Sequence, residues 1–231
     1  MLYGESDDSF SDFNDEFSAE QTTSLWDPLE AYNIPMTQFN DFIYMYIMGP
    51  VAKGYRFVVS EPIRTGVSNA FHNIQFPVRF TNNILQLKFN NALEESARFV
   101  INSTYGLAGF IDIAKTDAGL KRHDEDFGQT LGFYGASSDI HIVLPLFGPS
   151  NLRDTIGLIG DGFLDPIYYA QNRDLGAFKN NETYIYLNAF KIVNEYSLHA
   201  DEYENLREDS LDLYILMKSV YEQRRDALIE E

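Results

Sequence analysis

The stretch "PMTQFNDFIYMYIMGPVAKGYRFVV", residues 35–59, decides the fold class. Phe39, Phe42, Ile43, Tyr46 and Ile47 recur at spacings of three and four, the period of one helix face. Gly49-Pro50 interrupts the pattern, and Pro50, lacking an N–H, suits the first residue of a new helix. The expectation is a helix, a break and a second helix. Downstream the same pattern repeats. In "SEPIRTGVSNAFHNIQFP" Ser60 can cap, Pro62 fits a first turn, and Ile63, Val67, Phe71 and Ile74 share a face. Pro77 ends that segment and starts "PVRFTNNILQ". In "NALEESARFVINSTYG" the period directs Leu93, Ala97, Val100 and Ile101 inward; Glu94 can pair with Arg98 one turn on, and Gly106 suits a C-cap.

Residues 106–150 are richer in glycine. Ile140, Ile142 and Leu144 alternate as in a strand, and Pro145 and Pro149 confine it to an edge or a connector. Ser150 is the expected cap of the next helix, in which Gly157 and Gly160 permit close backbone approach. A helix follows from about Asn181 to His199. Tyr203, Leu206, Leu213, Met217 and Val220 then mark an amphipathic terminal helix. The expected fold class is mainly α: short amphipathic helices broken by proline and glycine in a single domain, with little or no β.

Residues 1–24 hold seven acids and no Lys or Arg, and read as a flexible acidic arm ahead of a domain spanning 25–231. Its Phe10, Phe13 and Phe17 could dock a partner or an apolar groove. The net charge of −18 repels a phosphate backbone, so nucleic acid is not an expected partner, and it denies the chain a polybasic grip on anionic lipid. With no cysteine, the chain has no disulfides, thiolate metal sites or cysteine nucleophiles. No run of about 18 apolar residues is present. The 18 Phe and 15 Tyr suit either an aromatic core or a surface that meets something greasy.

The standard catalytic patterns are missing: no G-x-S-x-G, no phosphate-binding G-x-x-x-x-G-K, no H-E-x-x-H. His72, His141 and His199 stand isolated. "RHDEDFGQTLG", Arg122–Gly132, is the one candidate metal or acid/base cluster. Consecutive residues do not converge on one ion unless the backbone wraps around it, and the alternating acids of a calcium loop are absent. The preferred reading is a shaped loop: Asp124, Glu125 and Asp126 face backbone amides or basic groups, while Gly128 and Gly132 supply special dihedrals. No metal, cofactor or enzymatic activity is expected.

Several phrases in order, "DPLEAYN", "FND", "PVAKGYR", "EPIRTGVSN", "NNILQ", "RFVINSTYGLAGFIDIA", "RHDEDFGQTLGFYG" and "LPLFGPSNLRD", resemble the MlaA/VacJ lipoproteins of Gram-negative outer membranes, over about residues 26–170. The resemblance implies a ring-like helical domain in the inner leaflet of the outer membrane, at its periplasmic face. It also implies a trimeric porin partner and an amphipathic channel. Through that channel mislocalised phospholipid would leave the outer leaflet for a periplasmic carrier protein. The alternative is a membrane-anchored adaptor for porin or carrier, without its own channel. Phe39 and Asn40 match the family's "FN". With Gln38, Phe42, Tyr44, Phe71, Phe76 and Phe80 they are the candidates for lipid path or membrane contact. Asp27, Pro28, His123, Asp124, Glu125, Asp126, Gly128 and Gly132 are the candidates for a structural motif. The family's signal peptide and lipid-modified cysteine have no counterpart here, and their removal ahead of Met1 is the expected explanation.

Overall fold

The computed structural model describes residues 27–138, 140–168 and 181–231. The acidic arm, with its three phenylalanines, lies outside the described residues. Helix α1 (Glu30–Ile43) passes through a π-helical turn (Tyr44–Met48) directly into α2 (Gly49–Val58). The expected break at Gly49-Pro50 does not occur. The wider turn carries the Gly49 N–H to the Tyr44 carbonyl five residues back, and Pro50 falls where α2 demands no N–H. Pro35 likewise sits inside α1 rather than at its start.

Helices α3 (Glu61–Ile74), α4 (Phe76–Leu85) and α5 (Phe89–Thr104) follow, each of the first two with proline in its first turn. Ser60 occupies the N-cap position of α3 in extended conformation, without a side-chain capping bond. After the single turn α6 (Ile113–Thr116) come α7 (Phe127–Phe133), strands β1 (His141–Leu144) and β2 (Gly148–Asn151), and α8 (Leu152–Gly162). The chain ends in α9 (Asn181–Asp209) and α10 (Leu213–Glu230). The fold is mainly α, one helical domain whose only sheet among the described residues is the antiparallel β1–β2 hairpin.

Four local expectations are corrected. The helix starting near 181 continues to Asp209, and the break falls at 210–212, where Asp212 accepts the Ile215 N–H; Tyr203 and Leu206 therefore belong to α9. Asn151, not Ser150, caps α8, accepting the Asp154 N–H at 2.7 Å. The β1 alternation is real but opposite in phase, since His141 and Val143 are the buried pair. Gly106 is not a left-handed C-cap. Positive φ appears at Leu107, Ala108 and Gly109, and a Cβ on Gly106 would collide with the carbonyls of Ile111 and Asn102.

The largest correction concerns which face is inside. On α5 the buried residues are Ala92, Glu95, Arg98 and Asn102, while Leu93 and Val100, expected inward, are 68% and 58% exposed. On α3 Arg64, Gly66, Phe71 and Asn73 are buried, and Ile63 and Ile74 are exposed. On α4 Arg79, Asn82 and Asn83 turn inward. Among the described residues 22 polar or charged side chains are buried against eight hydrophobic ones, the reverse of a water-soluble core.

A polar interior holds only if its groups are paired. Arg98 donates two hydrogen bonds to Asp112, at 2.8 and 2.9 Å, and Asn102 donates to the same carboxylate. Arg79 donates to Glu95 at 2.8 Å. Asn82 donates to Asp161, and its carbonyl accepts from Thr130. Glu94, expected to pair with Arg98, instead meets His123 at 2.7 Å, because Arg98 is turned inward.

Helices α7 and α8 pack tightly, α9 crosses α2 and α3, and α10 lies against α7, α1 and β2. The α7–α8 contact depends on glycine, as the spacing at Gly157 suggests: a Cβ there would lie 2.5 Å from the Gly128 backbone nitrogen.

Candidate functional site

Residues 122–126 form the loop part of the motif, but from Phe127 onward the motif is helix α7. The three acids diverge. Asp124 meets the His72 ring at 2.7 Å. Glu125 accepts from Gln86 at 2.7 Å and Lys88 at 2.6 Å. Asp126 caps α7 by accepting the Gln129 N–H and is held by two bonds from Arg225 on α10. Burial works against ionisation of Asp126, but the Arg225 guanidinium overrides it and holds the carboxyl below its usual range. The His123 ring faces Glu94, and the His123 backbone N–H donates to Glu95. Gly128 and Gly132 do not have left-handed dihedrals; they provide space, Gly128 beside Asp154 and Arg225 and Gly132 beside Ile229. At the chain entry Asp27 accepts the Leu29 N–H just past Pro28, the Asn33 amide and the Tyr214 hydroxyl, so α1 and α10 are tied together.

The candidates for lipid path or membrane contact separate into four groups. Phe39 and Phe42 are about half exposed, and the Phe42 ring lies 5.1 Å from that of the exposed Tyr46. Gln38 lines a cleft of about 450 Å³ between α1 and the α9–α10 bend, where Arg207 donates to Asp41 at 2.7 Å. Asn40, expected beside Phe39 on the same surface, is buried. Its amide donates to the Leu144 carbonyl and its oxygen accepts the Leu146 N–H, so it clamps the hairpin. Tyr44 donates to the Leu146 carbonyl at 2.7 Å and lies within a Tyr196–Tyr203 aromatic cluster. Phe76 stacks on Phe99 with centroids 4.5 Å apart and touches Phe80, while Phe71 is buried against Phe190.

Sequence reasoning singled out Asp126 but missed the residues that surround it at the α7–α8–α10 junction. Asp126, Asp154, Asp161, Tyr221 and Arg225 line a cleft of about 190 Å³ together with Leu144 and Phe147. Asp154 receives Arg153, Arg225 and Tyr221, which together outweigh its burial and keep it ionised. Among the described residues no cation hydrogen-bonds to Asp161, and Arg225 acts on it only through space. Burial pushes it up to about 6, against hydrogen bonds from the Phe127 N–H and Asn82. These groups lie at distant sequence positions, and no local spacing joins them. Also missed was the outward stripe of α8, where Leu152, Ile156, Ile159 and Phe163 are exposed at helical spacing. Its spacing is present in the sequence, but only Gly157 and Gly160 of that helix were singled out there.

These features define a class: a helical protein with its polar face buried and its apolar face outward, bearing no convergent cluster of metal-ligating side chains among the described residues. Residues 25–228 match the model of the MlaA lipoprotein family, and the chain belongs to that family. It is 33% identical over 206 residues to the intermembrane phospholipid transport system lipoprotein MlaA of Escherichia coli strain K12, covering 87% of this chain and 77% of the relative. It is 35% identical over 144 residues to the protein of the same name from Haemophilus influenzae, covering 62% and 58%. An uncharacterised protein of Rickettsia prowazekii is 29% identical over 208 residues, covering 89% and 79%. A solved chain described under "Structural basis for maintenance of bacterial outer membrane lipid asymmetry" superposes with a TM-score of 0.73 at 28% identity, covering 88% of this chain and 99% of that one.

Proposed function

We propose that this chain is an outer-membrane component of intermembrane phospholipid transport. It sits in the inner leaflet at the periplasmic face, takes mislocalised phospholipid from the outer leaflet, and releases it to a periplasmic carrier. The observation that supports this reading best is the inverted amphipathicity. Stripes such as Phe89, Leu93 and Val100 on α5 stand outward over buried Glu95, Arg98 and Asn102. Apolar surface presented this way is favourable only against another apolar phase. No described helix is long and apolar enough to cross a membrane. The 14 residues of α3 and 16 of α5 reach about 21 and 24 Å at 1.5 Å per residue, short of a hydrocarbon core of about 30 Å. Such lengths suit a seat within one leaflet.

Lipid transfer also needs a polar route, since a head group crossing hydrocarbon unaided costs several kcal/mol. The buried Asn, Arg and Glu side chains offer material for such a route, and the names of the E. coli and H. influenzae relatives point to the same cargo. A trimeric porin is the proposed membrane partner. No step of the job requires a nucleophile or cofactor. Deleting the gene in its native host and labelling surface-exposed phosphatidylethanolamine tests the reading. Outer-leaflet phospholipid should rise several-fold and return to normal on complementation; an unchanged outer leaflet refutes it.

A further inference from the structure

Between α3 and the N-terminal part of α9 lies a groove of about 360 Å³ with walls of Val67, Ala70, Ile74, Phe110, Ile167 and Leu187. Its volume falls in the range of small-molecule clefts, about 300–1,000 Å³. Every wall residue is apolar, so the groove offers nothing to hydrogen-bond a peptide backbone, which would bury its amides unpaired. A hydrocarbon chain makes no such demand.

Next to two of the wall residues stand polar side chains. Lys191 lies one turn beyond Leu187 on α9, and Gln75 directly follows Ile74 at the end of α3. The Lys191 ammonium donates to the Gln75 side-chain oxygen at 2.9 Å. That partner is neutral, and no salt bridge joins Lys191 to a described carboxylate. Burial lowers the Lys191 pKa; Asp165 and Glu195 act in the opposite sense and Arg79 in the same one. A half-buried ammonium one turn beyond the wall residue Leu187 suits an acyl chain that carries an anionic group at its end, as a phospholipid's does at its phosphodiester.

We propose that this groove holds one acyl chain of a phospholipid, with the Lys191 ammonium pairing to its phosphate and Gln75 holding the ammonium in place. The inference rests on the transport reading and adds to it a defined binding position and a requirement for an anionic head. Gly66 is part of the construction: a Cβ there would strike the Phe110 ring, so glycine lets Phe110 close the groove wall against α3.

The test is equilibrium binding of radiolabelled palmitoyl-lysophosphatidylglycerol, and of neutral monopalmitoylglycerol, to the purified full chain. Lys191→Gln should weaken the phosphodiester lipid about tenfold and leave the neutral lipid unchanged. Ala70→Phe, which fills the groove, should abolish both. Val67→Thr keeps the shape but adds a hydroxyl, and should weaken both several-fold at an unchanged thermal midpoint, so misfolding does not confuse the result. Inorganic phosphate at millimolar concentration should not compete. Lysine and groove variants that bind like the wild type overturn the groove while leaving the transport reading intact. Phosphate competing as well as lipid also overturns it, because the site would then be a simple anion site. If no lipid binds even the wild-type chain, both readings fall.

Discussion

Replacing Phe89, Leu93 and Val100 together by serine tests the inversion of α5. These side chains are 55%, 68% and 58% exposed, and lie opposite the buried Glu95, Arg98 and Asn102. Burying a Val, Leu or Phe side chain completely is worth about 1.5–3 kcal/mol. Scaled by exposure, the three contribute about 4 kcal/mol to a membrane seat, or about a thousandfold in partitioning. In vesicle flotation with the full chain, the lipid concentration for half-binding should therefore rise by about three decades. Denaturant unfolding in lipid-free buffer should change by less than about 1 kcal/mol, as for other surface replacements. Had these residues formed a core, each truncation would cost about 2–5 kcal/mol of folding stability. A triple variant that floats like the wild type, or that unfolds in water with a large loss, refutes the outward assignment.

Three further outcomes are expected. Arg98→Met leaves Asp112 as a buried carboxylate with a partner missing and should cost about 3–5 kcal/mol in chemical denaturation; adding Asp112→Asn should recover part of that, and a double variant worse than the single one would contradict the pairing. Gly157→Ala places a methyl 2.5 Å from the Gly128 nitrogen, a backbone atom that cannot rotate away, so a loss of about 1–3 kcal/mol is expected, and an unchanged melting temperature would count against the α7–α8 contact. The Asp161 pKa rises from 3.8 to about 6 on folding, so the folded state holds the proton more tightly; its contribution is full below about pH 4 and is lost as pH rises through 6. Relative to Asp161→Asn, the wild type should therefore lose about 3 kcal/mol between pH 4 and 7 in urea titrations, and a pH-independent difference would refute the assignment.

Periodicity in the chain located most helices, because the spacing of Phe39, Phe42, Tyr46 and Ile47, or of Ile63, Val67, Phe71 and Ile74, depends on helix geometry alone. It could not say which face is inside. The same pattern on α5 fits an inward apolar stripe in water and an outward one against lipid, and the difference is set by the surrounding phase. Gly49-Pro50 was read as a break because a π-helical turn can absorb a proline in a way no residue pattern announces. In the 122–132 motif, the divergence of the acids could be expected from their adjacency. The identity of their partners could not: Arg225 lies 99 residues from Asp126, and Gln86 lies 39 from Glu125. The phase of β1 was misread because Ile142 outranks His141 in hydropathy, while Asn33 reaches the backbone on both sides of Ile142, at His141 and Val143, and fixes the strand by hydrogen bonds.

The tie between Asp27 and α10 has a consequence for biosynthesis. Its bond from Tyr214 spans 187 residues, and Lys218 approaches the same carboxylate from 191 residues away. At about 5–20 residues per second, roughly 10–40 s pass between the making of Asp27 and the making of its partners. During that interval the greasy faces of α1, α3 and α5 have been synthesised, but the helix that fastens the start of the chain has not. A nascent chain in that state needs its hydrocarbon surfaces shielded, and loss of the last helix leaves it permanently in that half-made condition.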